Sequence, residues 1–234
     1  MNYDTLAETY AEFGTVASTE WKFGYEEEIA LLEPLPGLKL LDYGCGDGKV
    51  ARFFAQRGAH VTGVDVSAEM IAKARAQELE DAAYCVIEPN QPLPFAPHAF
   101  DAIVVNFVLC TMASKKEMRT ILTALKDVLK PTGKLLVLNA NWEEANGKRF
   151  ASCELVHIEN PKSGDAVDVI LKGKTSIHVT DYYWTADDYR QVLEKSGFAV
   201  KRILTPKANA EDDRWMDERT CAPFVLIEVV KSLI

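Results

Sequence analysis

Up to about residue 140 the chain alternates apolar runs of strand length with segments of helical period, and this alternation constrains the fold more than any other feature. Parallel strands cannot be joined by a tight turn; they need a crossover, and a helix is the usual one. The strands read as Leu38–Tyr43, His60–Asp65, Ala83–Ile87, Asp101–Phe107 and Lys134–Asn139, with helices near Lys49–Arg57, Ala68–Leu79 and Lys115–Leu129. Pro131-Thr132-Gly133 is expected to end the last helix, since proline cannot continue it and glycine tolerates the turn.

After Asn141 the pattern changes. Cys153–Glu159, Ala166–Leu171 and Thr175–Thr180 read as three short strands without a long helix between them, which predicts an antiparallel insertion over residues 150–182. A helix near Ala186–Ser196, stopped by Gly197, and strands Ala199–Thr205 and Phe224–Val230 complete the chain. The expected fold is α/β: a doubly wound, mostly parallel, seven-stranded Rossmann-like sheet with the insertion before the sixth strand. At 234 residues it should form one domain, 1–234. Tyr3, Leu6, Tyr10 and Phe13 share one helical face, so the N-terminal stretch is expected to pack across the sheet or over its open end.

Composition narrows the partners. The formal net charge is −9, and the densest basic cluster is only Lys115-Lys116, which argues against nucleic acid, because phosphate neutralisation supplies most non-specific affinity. No run of about eighteen apolar residues marks a membrane span, and the polar, acidic start resembles neither a secretory nor a transit leader, so a cytoplasmic protein is expected. Five scattered cysteines without CxxC spacing point to neither a disulfide framework nor a metal site.

In Leu40–Gly48 (LLDYGCGDG) a buried strand ends in glycines at alternate positions just before a helix. Glycine permits the sharp turn and lets a ligand approach the backbone, and in an open parallel sheet ligands bind at the carboxyl end of the first strand. A turn without a ligand is the bland alternative. Dinucleotide folds space their glycines GxGxxG; here the spacing is GxGxG, flanked by Asp42 and Asp47, whose charges would repel a diphosphate. They suit a ligand with a positive amino group and a sulfonium. The second strand ends in Asp65, placed to accept bonds from both ribose hydroxyls, and Ser67 is expected to cap the next helix.

Four ordered segments, LLDYGCGDG, GVDVSAEMI, LPFAPHAFDAIVVNFVL and LKPTGKLLV, resemble the successive motifs of class I S-adenosylmethionine-dependent methyltransferases, in particular a small-molecule family with a short β insertion. The resemblance runs from about Leu38 to the C-terminus. It implies S-adenosyl-L-methionine as cofactor, held at its methionine end by Asp42, Gly44 and Gly46, at the ribose by Asp65 and at the amino group by the Asn106 carbonyl. Val66 and Met70 would line the adenine, although core packing accounts for Met70 equally well. Where the family usually places an aspartate for the adenine amino group, this chain has Glu88-Pro89; Glu88 would substitute with a longer reach, while Pro89 has no N–H to offer the ring. The resemblance also implies an N-terminal lid over residues 1–30, with the Tyr10 ring facing the sulfonium, and an insertion on the substrate side.

Methyl transfer from a sulfonium needs alignment and exclusion of water rather than a metal. Cys110-Thr111 stands where the family often has a histidine, so the easiest candidate base is absent. Of the remaining candidates, His157, His178, Tyr182 and Tyr183, strand alternation groups His178 with Thr180 and Tyr182, which makes His178 and Tyr182 the expected catalytic side chains. With no base evident, the expectation is methyl transfer to a nitrogen or oxygen of a small-molecule metabolite. A non-catalytic cofactor-binding regulator or partner subunit is the alternative, and a nicotinamide-dependent oxidoreductase is disfavoured by the glycine spacing and Asp42.

Overall fold

Each strand of the main sheet carries apolar side chains on both faces, as a sheet covered by helices on either side requires. Leu40, Val61, Val104, Leu136 and Leu226 point to one face; their neighbours Leu41, Val64, Ile103, Val105, Leu135 and Ile227 point to the other. The computed structural model of the chain describes residues 18–77, 80–89 and 91–232. Tyr3, Leu6, Tyr10 and Phe13 lie outside them, as does Leu79.

The strands are β1 (Lys39–Tyr43), β2 (His60–Asp65), β3 (Ala82–Val86), β4 (Phe100–Asn106), β5 (Leu129–Ala140), β6 (Cys153–Leu155), β7 (Ala166–Leu171), β8 (Ile177–Tyr182), β9 (Phe198–Leu204) and β10 (Phe224–Lys231). The helices are α1 (Glu26–Leu32), α2 (Lys49–Ala55), α3 (Ala68–Arg75), α4 (Lys115–Val128), α5 (Trp142–Ala145) and α6 (Ala186–Lys195), with a π-helical turn, Trp21–Tyr25, leading into α1. The seven-stranded sheet has the order β3-β2-β1-β4-β5-β10-β9, with β10 antiparallel to both its neighbours. Strand order reverses between β1 and β4, and the crevice beyond their carboxyl ends is where an open α/β sheet admits a ligand.

One face of the sheet is covered by α1 and α2, through Leu31 and Phe54, and by the insertion β6-β7-β8, whose Val167, Val169 and Val179 join the same core. On the other face α4 and α6 pack through Met118, Leu122, Tyr189 and Leu193. Both helices start with a reciprocal cap, Ser114 with Glu117 and Thr185 with Asp188, so their first turns are satisfied where the chain leaves the sheet. Among the described residues no helix is long and apolar enough to cross a membrane.

The boundaries around β5, β6 and β8 differ from the sequence expectation in ways that shape the fold. Helix α4 stops at Val128 before Pro131-Thr132-Gly133, but those residues lie inside β5 rather than in a turn. The register jumps from Phe100 opposite Leu129 to Ala102 opposite Lys134, a bulge that accommodates a proline with no N–H for the ladder. Strand β6 is only three residues long, and β8 begins two residues later than expected, which carries Tyr182 into the strand.

Candidate active site

The glycine turn is held by the neighbouring strand. Gly44 and Cys45 both donate to the Val64 carbonyl, at 2.8 and 3.0 Å, so the chain leaving β1 curls over the end of β2. Gly44 and Gly46 have φ of +81° and +52°, a region costly for other residues. A Cβ on Gly44 would stand 2.3 Å from Val108 Cγ2, whereas nothing lies within 4 Å of the position a Cβ on Gly46 would take. Gly46 therefore borders open space, into which a ligand can descend onto the backbone.

Asp65 secures the turn. Its Oδ2 accepts from the Gly46 N–H and its Oδ1 from the Ser67 N–H, both at 2.9 Å. Ser67 in turn caps α3, accepting from the Met70 N–H at 3.1 Å. One carboxylate thus joins the glycine turn to the start of the next helix.

Above the turn is a cavity of about 800 Å³. Asp42, Tyr43, Gly44, Gly46 and Asp65 form its floor; Val66, Met70, Ile87 and Pro89 form one end; Asn106, Phe107, Val108, Thr111, Met112, Glu117 and Ile121 come from β4 and the segment into α4. Glu20, Trp21 and Tyr25 close it from the N-terminal side, and Thr180 and Tyr182 reach it from β8. Phe107 has φ of +55°, an uncommon conformation for an aromatic residue, at the point where β4 ends on the cavity wall.

The cavity is acidic. Glu20, Asp42, Asp47, Asp65 and Glu117 line it, against Lys49 as its cation among the described residues, and no described histidine lines it. Asp42 is 2% exposed, and its Oδ2 has no hydrogen-bond partner. Burial, reinforced by the charges of Asp65 and Asp47, pushes its carboxyl up to about 7, although a bond from the Ala51 backbone works the other way. Burial and Asp65 push the Tyr43 phenol up to about 12. Burial also lowers Lys49, against the opposing pull of Asp47 at 3.8 Å.

Glu20 is held through long-range contacts. Ser152 Oγ lies 2.9 and 2.7 Å from its two carboxylate oxygens and also accepts from the Thr19 N–H at 3.1 Å. Thr19 Oγ1 donates to Glu218 at 2.8 Å. Residues 18–20 are thereby fastened to the start of the insertion and to the loop before β10. Burial raises the Glu20 carboxyl, and the Ser152 bond only partly offsets it.

Of the expected site residues, Asp42, Gly44, Gly46, Asp65, Val66, Met70, Pro89, Asn106 and Tyr182 all border this one cavity, and Tyr10 lies outside the described residues. Two are misplaced by the sequence expectation. Glu88 does not border the cavity; it stands at the start of a turn closed by the Gln91 N–H on the Glu88 carbonyl and lines a neighbouring cavity of about 400 Å³ against α4. His178 is exposed on β8, opposite Ile170. The expected alternation holds, but only the carboxyl end of the strand reaches the cavity, and His178 lies two residues, about 7 Å, further back than Thr180. Glu20, Lys49, Phe107 and Glu117 carry no local sequence signal for the site; the fold alone brings them there.

Residues 41–137 match the family model described as a methyltransferase domain. The chain is 33% identical over 179 residues to N-demethylindolmycin N-methyltransferase of Streptomyces griseus, covering 73% of this chain and 74% of that protein. It is 32% identical over 154 residues to demethylmenaquinone methyltransferase of Thermotoga maritima, covering 63% of each. Among solved structures, an S-adenosylmethionine-dependent methyltransferase from Mesorhizobium loti superposes with a TM-score of 0.65 at 18% identity, covering 92% of this chain and 98% of that one. The glycopeptide N-methyltransferase MtfA, complexed with S-adenosylmethionine, gives 0.65 at 18% identity over 89% and 93% of the two chains.

Proposed function

The chain belongs to the class I S-adenosylmethionine-dependent methyltransferases, and from that premise we propose that it methylates a nitrogen of a small molecule with an aromatic or apolar body. The observation that carries the proposal is the cavity lining: aromatic walls from Trp21, Tyr25, Phe107 and Tyr182, carboxylates at Glu20 and Glu117, and no histidine among the described residues. An amine needs no protein base once it arrives unprotonated, whereas a hydroxyl or carbon acid usually does. The acidic lining raises the local concentration of the amine by attracting its cation, which is in equilibrium with the unprotonated form that reacts. The relative from Streptomyces griseus is named as an N-methyltransferase, which supports the same acceptor atom.

The residues present fit the cofactor. The space over Gly46 admits a ligand to the backbone, and the unpartnered Asp42 oxygen calls for a donor. When bound, S-adenosylmethionine supplies an electrophilic methyl group on a positively charged sulfur. Asp42 and Asn106 would hold the amino group, Asp65 the ribose, and Val66, Met70 and Pro89 the adenine. Trp21 and Tyr25, on the anchored N-terminal segment, would act as the lid that keeps water from the transferring methyl. Incubation of the protein with a metabolite pool and isotopically labelled methyl donor, followed by mass spectrometry, tests the proposal. Label on nitrogen is expected; label only on oxygen or carbon overturns it.

A further inference from the structure

Behind the cavity wall lies a buried carboxylate that the family motifs do not account for. Glu28, on α1, is 0% exposed, and its Oε2 accepts from Asn106 Nδ2 at 3.1 Å. Two acceptors on residues that border the cavity have no partner, Asn106 Oδ1 and Asp42 Oδ2. Asn106 and Asp42 border the cavity, while Glu28 stands behind Asn106. Buried acceptors are rarely left unpaired, and two on the wall of one cavity point to a missing donor with several hydrogens. The cofactor's α-ammonium is such a donor.

We propose that Glu28 is a positioning residue for the cofactor: by accepting from the Asn106 NH2 group it turns the amide oxygen of Asn106 outward, beside Asp42, as an acceptor for the α-ammonium. The proposal concerns the donor half of the site and does not depend on which acceptor atom is methylated. It assigns the Asn106 side chain a role beyond that of its backbone carbonyl. An amide has one accepting and one donating end, so whichever end Glu28 engages decides what the other presents. Ionised, Glu28 can only accept, and the oxygen faces the ligand. Protonated, its O–H can donate to Asn106 Oδ1, which would turn the NH2 group toward the ammonium.

Burial holds the Glu28 carboxyl well above its ordinary range, the Asp42 charge adds to this, and the Asn106 bond opposes it. The groups packed against it are Asn106 on β4 and Asp42 on β1. Lys134 on β5 and Glu228 on β10 pair with each other at 3.2 Å, and Lys134 also donates to the Leu31 carbonyl at 2.6 Å, so that cation is engaged further along α1. An arriving ammonium would favour the ionised carboxylate, and the displaced proton would pass to solvent.

The test compares S-adenosylhomocysteine, which carries the ammonium, with methylthioadenosine, which lacks it, by titration calorimetry. Glu28→Leu should weaken S-adenosylhomocysteine by on the order of tenfold or more and leave methylthioadenosine within about twofold. Glu28→Gln, whose amide oxygen can still accept from Asn106, should restore most of the affinity. Equal weakening of both ligands by Glu28→Leu, or no weakening, overturns the proposal. If Glu28→Leu does not fold, Asn106→Leu, which removes the amide that Glu28 orients, takes its place, and equal weakening of both ligands or none overturns the proposal.

Discussion

Replacing Asp65 by asparagine separates two jobs that one carboxylate performs. Both oxygens accept a backbone N–H at 2.9 Å, from Gly46 and from Ser67. Asparagine offers one oxygen and one NH2 group, so in either orientation one of those N–H groups meets another donor. Losing one charge-assisted bond should cost the ligand-free protein about 1.5–3 kcal/mol, roughly 3–12 °C in Tm for a chain of this size. Binding loses separately: one ribose hydroxyl is left without an acceptor, and the other bonds a neutral oxygen instead of a charged one. Together these come to about 3–4 kcal/mol, a rise in dissociation constant of roughly 10²–10³-fold. Calorimetry with S-adenosylhomocysteine measures the second effect, and thermal denaturation without ligand measures the first. A dissociation constant within about threefold of the unaltered chain would refute the ribose assignment, and an unchanged Tm would refute the tie between turn and helix.

The raised Asp42 carboxyl has a sign that can be checked: it is pushed from 3.8 to about 7 on folding, so the folded chain keeps a proton the unfolded chain has released. The stability this provides is complete below about pH 4 and is lost as pH rises toward 7, up to about 4 kcal/mol; Asp181, pushed up to about 6 by burial, acts in the same direction. Tm without ligand should therefore fall between about pH 5 and pH 7.5, and Asp42→Asn should flatten the slope; parallel slopes would contradict the assignment. Ser152→Ala removes the donor to Glu20 and the acceptor of the Thr19 N–H, and should cost about 3 kcal/mol, roughly 6–12 °C in Tm, unless residues 18–20 are not anchored as described. Tyr182→Phe should leave kcat within about threefold if the acceptor is an amine; a loss of about 10²–10⁴-fold would mark the phenol as an acid or base and favour an oxygen acceptor.

The parts legible in the sequence were those determined locally. Apolar period located the elements of the main sheet, including β2 at its observed limits, because a strand between two helical layers must be apolar on both faces, while period-two alternation located β7 of the insertion. Gly44, Gly46, Asp42 and Asp65 could be assigned to one site because the turn, and the strand beside it, leave little freedom in where their side chains go. Contacts between distant segments left no such trace. Glu28 reaches Asn106 across 78 residues and Glu20 reaches Ser152 across 132, and neither acid belongs to a motif. His178 shared the expected face with Tyr182, yet its distance from the cavity was set by how far β8 extends, a matter of packing rather than alternation. Glycine spacing and acid placement along the chain thus defined the methyl donor's binding turn, whereas tertiary structure decided which remote carboxylates, aromatics and cation surround it.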